Sequence, residues 1–264
     1  MISNNDTREP NKMTKEVKAV ILAAGKGTRM KADIPKVLHR IFGKPIVQYV
    51  AEACSNAGIE DIYIVVGFGA DLIKQTLGSR YKYVLQEQQL GTAHALQMAV
   101  PYLKDYQGDL LVLVGDSPFI TSEVLQQLIT KHQHSNAAAT FITTEYENTP
   151  PYGRVIRDNT GNVITVIEEK NALPEIKKIK EVLTSHYCFS SSVVLPLLSK
   201  IQKDPEKQEY YLTDIIEILI NERYTVETVK IKDSRLVFGI NDLQDLSKAA
   251  GDYQSIMKQN SNER

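Results

Sequence analysis

Tryptophan is absent from this chain, and cysteine occurs only twice, at Cys54 and Cys188. Two isolated thiols without a Cys-x-x-Cys spacing make neither a disulfide framework nor a zinc site. Both are therefore expected to be buried and reduced. No apolar stretch approaches the roughly 18 residues that a membrane span needs. Residues Met1 to Glu16 are polar and lack the apolar core of a signal peptide. These absences predict a cytoplasmic protein with no membrane partner. Charge of one sign is not in excess either: 31 Lys and Arg stand against 32 Asp and Glu, a net charge of −1. A duplex-binding surface needs a basic surplus, so no nucleic acid partner is expected. Internal repeats, low-complexity tracts and Gly/Ser linkers are also missing, which favours one domain over several modules. What is left is an ordinary globular composition, 42% hydrophobic and 24% charged over 264 residues. That length is enough to enclose a substantial core.

Hydrophobic patterning divides the chain. Val17 to Ala23 is a short apolar run that reads as a buried parallel strand. A loop follows from Ala24 to Pro35. Pro45 opens a helical pattern with Ile46, Val47, Val50, Cys54 and Ala57 on one face, ended by Gly58. Strands are predicted at 62–66, 82–85, 109–114 and 137–143, and helices at 70–77, 92–100 and 122–131. This alternation argues a mostly parallel, Rossmann-like sheet with helices on both faces. In such sheets ligands bind beyond the carboxyl ends of the strands, so the loops after Ala23, Leu85 and Val114 should share one crevice. Beyond residue 150 the pattern changes. Tyr152–Arg157 and Val163–Glu169 flank a turn-rich stretch and read as a hairpin. A strand over 181–190, helices over 193–201 and 213–221, a strand over 226–231 and a last helix from 243 to about 257 follow. The expected organisation is a single α/β domain over 17–257, with a smaller β-rich subregion from 144 onward. Residues 1–16 and 258–264 read as flexible tails.

Four groups of residues carry chemistry. Leu22-Ala23-Ala24-Gly25-Lys26-Gly27-Thr28-Arg29-Met30, with Pro35-Lys36 downstream, is a Gly-rich turn after a strand. Glycines let the backbone reach a phosphate closely, and its N–H groups point at the anion. Lys26, Arg29 and Lys36 add cations that can balance a triphosphate. The turn is neither a Walker loop nor a dinucleotide fingerprint, whose third glycine position is Met30 here. The second group is Gln86 with Gln89-Leu90-Gly91-Thr92-Ala93-His94-Ala95. An amide that both donates and accepts suits a pyrimidine edge, and Gly91 permits close backbone approach. Thr92 reads equally well as a helix cap and Gln86 as a surface amide, and His94 reads first as a packing residue. The third is Val114-Gly115-Asp116-Ser117-Pro118, an acid just past a strand end, placed for a hard cation such as Mg²⁺. The fourth is scattered: Tyr152-Gly153-Arg154 and Glu168 as pocket-lining residues, Thr213-Asp214 as either helix-capping or substrate-contact residues, and Asn241 as a neutral oxygen donor to the metal.

Together these residues resemble the uridylyltransferase half of the bacterial bifunctional N-acetylglucosamine-1-phosphate uridyltransferases, within the sugar nucleotidyltransferases. The resemblance covers roughly 17–250 and rests on Leu22–Met30, Pro35-Lys36-Val37-Leu38-His39, Gln86 with Gln89–Ala95, Gly115-Asp116-x-Pro118, Tyr152-Gly153-Arg154, Glu209-Tyr210-Tyr211-x-Thr213-Asp214-Ile215 and Gly239-x-Asn241. It implies a UDP-sugar-forming enzyme that uses Mg²⁺, UTP and a sugar 1-phosphate, N-acetylglucosamine 1-phosphate first among them, and serves cell-wall precursor synthesis. By resemblance the nucleotide is held by Leu22, Ala24, Gly25, Lys26, Gly27, Gln86, Gly91 and Thr92. Arg29 and Lys36 contact phosphates, Asp116 and Asn241 hold the metal, and Gly153, Glu168, Leu183 and Thr213 face the sugar. Two departures stand out. The family's Asn-Thr-Gly reads Leu183-Thr184-Ser185 here, and its frequent Tyr before Gly115 is Val114. The family's second half, a hexapeptide-repeat acetyltransferase, has no counterpart in these residues. No acetyl transfer is therefore expected, and the oligomeric state stays open between a monomer and a small homo-oligomer. Three rivals remain: another sugar phosphate, dTTP in place of UTP, or a nucleotide-binding protein without turnover. An oxidoreductase is more distant.

Overall fold

The computed structural model describes residues 15–262. Most of the expected N-terminal tail, and Glu263 and Arg264, lie outside them. The strands are β1 (Val17–Ala23), β2 (Arg40–Ile41), β3 (Lys44–Pro45), β4 (Ile62–Val66), β5 (Lys82–Leu85), β6 (Asp109–Val114), β7 (Ala139–Glu145), β8 (Arg154–Arg157), β9 (Val163–Ile167), β10 (Glu181–Ser190) and β11 (Val226–Lys230). The helices are α1 (Ile46–Asn56), α2 (Ala70–Leu77), α3 (Thr92–Ala99), α4 (Ser122–Ser135), α5 (Pro174–Lys177), α6 (Ser191–Leu197), α7 (Ile215–Asn221) and α8 (Leu243–Asn262). The last helix continues five residues past its expected end.

The main sheet runs β11-β7-β10-β6-β1-β4-β5, with the β8–β9 hairpin branching from β10. β1, β4, β5 and β6 pair in parallel, as do β7 and β11. β10 lies antiparallel to both β6 and β7, so along this seven-strand path it runs against its neighbours. The alternation up to residue 143 gave no hint that a later, reversed strand would separate β6 from β7. The central strand β1 is wrapped on both faces. Ala19, Ile21 and Ala23 pack with Val47, Val50, Ile73, Leu125 and Leu128 on one face. Val20 packs with Ala93, Leu96 and Leu103 on the other. This is the strand period of two meeting helices on both sides. Each of these fully buried Leu, Ile or Val side chains contributes about 1.5–3 kcal/mol relative to exposure. Cys54 and Cys188 are buried and unpaired, as expected. Among the described residues no helix is long and apolar enough to cross a membrane.

The chain leaves β1 towards β4 and β5, then returns to the other side of β1 as β6. Strand order therefore reverses between β1 and β6, and loops leaving their carboxyl ends diverge to open a crevice.

Candidate active site

A cleft of about 490 Å³ occupies that crevice, lined by Leu22 to Arg29, Lys36, Gln86, Gln89, Gly91, Thr92, Asp116 and Tyr211, among others. The loops after β1, β5 and β6 thus share it. The Gly-rich turn is shaped locally. Gly27 adopts φ 63°, and a Cβ there would lie 2.5 Å from Lys36 Cβ, so only glycine lets the turn close onto the lysine. Buried Met30, in a single 3₁₀ turn over Thr28–Met30, pins the far side. A Cβ on Gly25 would meet nothing within 4 Å, so its backbone lies open to the cleft. Lys26 is exposed beside the Phe68 ring, 5.5 Å from its centroid.

On the opposite wall Gln86 is buried, with its N–H bonded to Val66 O at 2.8 Å. Gly91 has φ 100°, and a Cβ there would strike Tyr210 O at 2.5 Å. Thr92 lines the cleft, but its hydroxyl accepts the Leu212 N–H at 3.0 Å and does not cap its own helix. The Glu209–Tyr211 segment is in this way tied across the loop that follows Gln86. Tyr210 N–H donates to Leu90 O at 2.8 Å, and Ala93 N–H to Tyr210 O at 2.9 Å.

A smaller pocket of about 150 Å³ adjoins the cleft, lined by Val114, Asp116, Ser117, Pro151, Tyr152, Gly153, Glu168, Leu183, Thr184, Ser185, Gly239 and Asn241. Val114 and Asp116 belong to both cavities. At the junction Lys36 forms an ion pair with Asp116 Oδ2, and Arg29 donates to Asn241 Oδ1 at 3.1 Å. Asn241 is set by its own N–H, which donates to Asp245 Oδ2 at 2.9 Å, and by its amide, which donates to Gly239 O at 3.0 Å. The segment is stitched to the β6 loop by Ile240 N–H to Asp116 O at 2.9 Å. Tyr152 accepts the Gly239 N–H at 3.1 Å. Burial, helped by the nearby Asp116 charge, pushes its phenol up to about 12, so it stays neutral.

The four residues Gly153, Glu168, Leu183 and Thr213 come together here, with one distinction. The first three line the pocket, whereas Thr213 stands behind, donating to Glu168 Oε1 at 2.6 Å. Arg154, read with Tyr152-Gly153 as a pocket residue, turns away and donates to Pro150 O at 3.1 Å and to Tyr152 O, holding the loop instead. Ser117, Thr184 and Ser185 were not singled out as pocket residues. The last two sit in a β-bulge, where the β10–β7 register shifts between Leu183 and Tyr187 and Ser185 takes φ 59°. A left-handed non-glycine residue costs about 1–2 kcal/mol, and such strain gathers beside functional sites. The only sequence signal was the departure at Leu183-Thr184-Ser185 itself.

A reversal-point cleft, a Gly-rich anion turn and a joint where cationic side chains meet acid and amide oxygens define a protein that binds a nucleotide and moves part of it. A family model described as Nucleotidyl transferase matches residues 18–249, and the chain belongs to that family. It is a nucleotidyltransferase. The Bifunctional protein GlmU of Pelotomaculum thermopropionicum is 44% identical over 233 residues, which is 88% of this chain and 51% of that protein. The protein of the same name from Geobacillus sp. is 43% identical over 231 residues, 88% of this chain and 50% of that one. The chain thus spans about half the length of the curated relatives it matches. A solved Bacillus anthracis structure, named for glucose-1-phosphate thymidylyl transfer and holding sucrose, superposes with a TM-score of 0.74 at 19% identity. It covers 89% of this chain and 94% of that one, a likeness of fold.

Proposed function

We propose that the chain transfers a uridylyl group from UTP to a sugar 1-phosphate of the N-acetylglucosamine type, releasing pyrophosphate and leaving a UDP-sugar. One observation carries the reading. Asp116 and its partner Lys36 stand where a cleft large enough for a nucleotide opens onto a pocket that suits a single sugar ring. The two phosphates that must react would meet at that junction.

The donor set there fits Mg²⁺. Asp116 and Asn241 offer two hard oxygens, and Mg²⁺ characteristically takes one or two protein oxygens and completes its shell with water and substrate phosphates. Among the described residues no group of three or more His, Cys, Asp and Glu forms an all-protein cage, and this chemistry does not need one. When bound, the cation would neutralise charge on the α-phosphate and the sugar phosphate. Each of these oxygens now faces a cationic side chain, Lys36 or Arg29. Those cations would turn to phosphate as substrates enter: Lys36 to the charge that develops at the α-phosphorus, Arg29 to the departing pyrophosphate. The sugar phosphate attacks in line and is already an anion near neutral pH, so positioning matters more than a general base. The cleft turn brings backbone N–H groups and Lys26 to the remaining phosphates. Glu168, steadied by Thr213, is the polar group available to sugar hydroxyls.

Glucose, galactose or N-acetylgalactosamine 1-phosphate is the alternative acceptor, favoured by the apolar Val114 and Leu183 in the pocket wall. Pyrophosphate release from UTP and Mg²⁺ against these four sugar 1-phosphates tests the reading. Fast release with N-acetylglucosamine 1-phosphate is expected. Release only with another sugar reassigns the pocket, and tight UTP binding without release from any acceptor overturns the transferase proposal.

A further inference from the structure

Gln86 is only 2% exposed, yet it lines the nucleotide cleft. Its side-chain amide directs nitrogen inward. Nε2 donates to Gly91 O at 3.2 Å and lies 2.9 Å from His94 Nδ1. A carbonyl can only accept, so the Gly91 contact determines which end of the amide is nitrogen. The second hydrogen of that nitrogen then meets His94 Nδ1, which must offer a lone pair. The imidazole is accordingly neutral, with its proton on Nε2. Both amide hydrogens are used, and Oε1 is the group left for a ligand.

His94 is itself held firmly. It sits on the first turn of α3, its ring stacked on Tyr210 at 6.5 Å between centroids and 29° between planes. Tyr210 is bonded through its backbone to Leu90 and Ala93, on either side of Gly91. The ring that orients Gln86 and the strap that closes over Gly91 are thus one packed unit.

We infer that His94 is the positioning residue for base selection, holding Gln86 Oε1 towards the cleft as a fixed acceptor. The inference deepens the UTP reading above and rests on it. A fixed acceptor takes a base whose ring nitrogen carries hydrogen, as uracil and thymine do. It opposes cytosine, whose equivalent ring nitrogen is itself an acceptor. A flipped amide would set Oε1 against Gly91 O and, with the ring proton on Nε2, against the Nδ1 lone pair as well; without the imidazole only Gly91 O opposes it. Removing the imidazole therefore relaxes the choice between UTP and CTP and leaves that between UTP and dTTP, which share the N–H.

The test compares kcat/KM and binding constants for UTP, CTP and dTTP in the full chain, in His94→Leu and in His94→Asn, with Mg²⁺ and one fixed sugar 1-phosphate. Leucine fills similar space without an acceptor, whereas the asparagine Oδ1 can stand near the place of Nδ1. The UTP-to-CTP ratio should shrink about tenfold in His94→Leu, mainly through nucleotide KM. It should return to within about threefold of wild type in His94→Asn, with the UTP-to-dTTP ratio unmoved throughout. Equal losses with UTP and CTP would make His94 a packing residue and overturn the inference, as would a wild-type ratio in His94→Leu. Nitrogen NMR of the unsubstituted chain gives a readout that needs no variant to fold: a bare Nδ1 and a protonated Nε2 are expected, and a protonated Nδ1 refutes the arrangement. If the wild type binds UTP over CTP but releases no pyrophosphate, the transfer reaction falls and the base-selecting role stands. If it turns over UTP and CTP alike, the role falls and the reaction stands.

Discussion

The larger cleft and the smaller pocket are built in different ways. The cleft wall from Leu22 to Asp116 is built from the carboxyl ends of the parallel strands β1 and β6, the segments that follow β1, β5 and β6, and the start of α3. Its recognition elements are glycines, backbone N–H groups and three cationic side chains. The pocket draws on a bulge in the reversed strand β10, a hairpin and the loop before α8. Its parts meet across long stretches of chain, Tyr152 reaching Gly239 and Glu168 reaching Thr213. Apart from Gln86 and the His94 ring behind it, the cleft is made of features that any nucleoside triphosphate would use. The pocket is made largely of side chains brought together from separate elements. On this reading, the cleft and the junction carry the chemistry, and the pocket carries the choice of acceptor.

Substitutions at the junction should therefore have the largest effects and be blind to the sugar. Asp116→Ala removes the acid shared by both cavities and leaves Lys36 without its partner. A loss of about a hundredfold or more in kcat is expected with every acceptor, measured by pyrophosphate release across a Mg²⁺ titration. An unchanged rate at limiting Mg²⁺ would remove Asp116 from the metal. Lys36→Ala comes next, with kcat lowered well over tenfold and the KM values little changed if the ammonium acts on the transition state. A change confined to KM would reduce Lys36 to ground-state binding.

The same contrast explains what was legible. β4, α2, β5 and β6 have the bounds that patterning predicted, because alternation and flanking turns are local signals. The cleft was legible for the same reason: Gly25, Gly27, Gln86, Gly91 and Asp116 each belong to a contiguous motif at a strand end. The place of β10 was not, since nothing within 181–190 says that the strand inserts between β6 and β7. The bulge at Thr184-Ser185 was hidden because a register shift depends on the partner strand. Arg154 was grouped with Tyr152-Gly153 because the three are contiguous, whereas the nearby carbonyls of Pro150 and Tyr152 take its hydrogens.

The pocket side can be tested at Leu183, which is 3% exposed in the pocket wall with its N–H on Gly153 O at 2.9 Å. Leu183→Asn adds an amide where the wall is now apolar. One added hydrogen bond to an acetamido or hydroxyl group is worth about 1 kcal/mol, roughly fivefold in kcat/KM for the acceptor that can use it. N-Acetylglucosamine 1-phosphate should gain relative to glucose 1-phosphate, with UTP KM unchanged. A shift in UTP KM would show that cleft and pocket do not act separately.

The smallest effect should appear in stability and not in turnover. Asp214 stands next to Thr213, and burial, with the added negative field of Glu168, Glu217 and Asp204, raises its pKa from 3.8 to about 6. The native chain therefore holds a proton that the unfolded chain gives up at lower pH. Stability is highest, for this group, below the unfolded value, and it falls as pH climbs through the window from about 4 to about 6. Above that window the ionised carboxylate remains a burden. Asp214 is partly exposed and lies at the start of α7, where a negative charge is favoured, so the penalty is only about 1 kcal/mol. Asp214→Asn should remove most of the fall in Tm between pH 4 and pH 7 and leave pyrophosphate release near wild type. If the variant instead loses sugar 1-phosphate affinity, Asp214 supports the pocket through Thr213 and Glu168, and the raised pKa is a property of the site and not only of the fold.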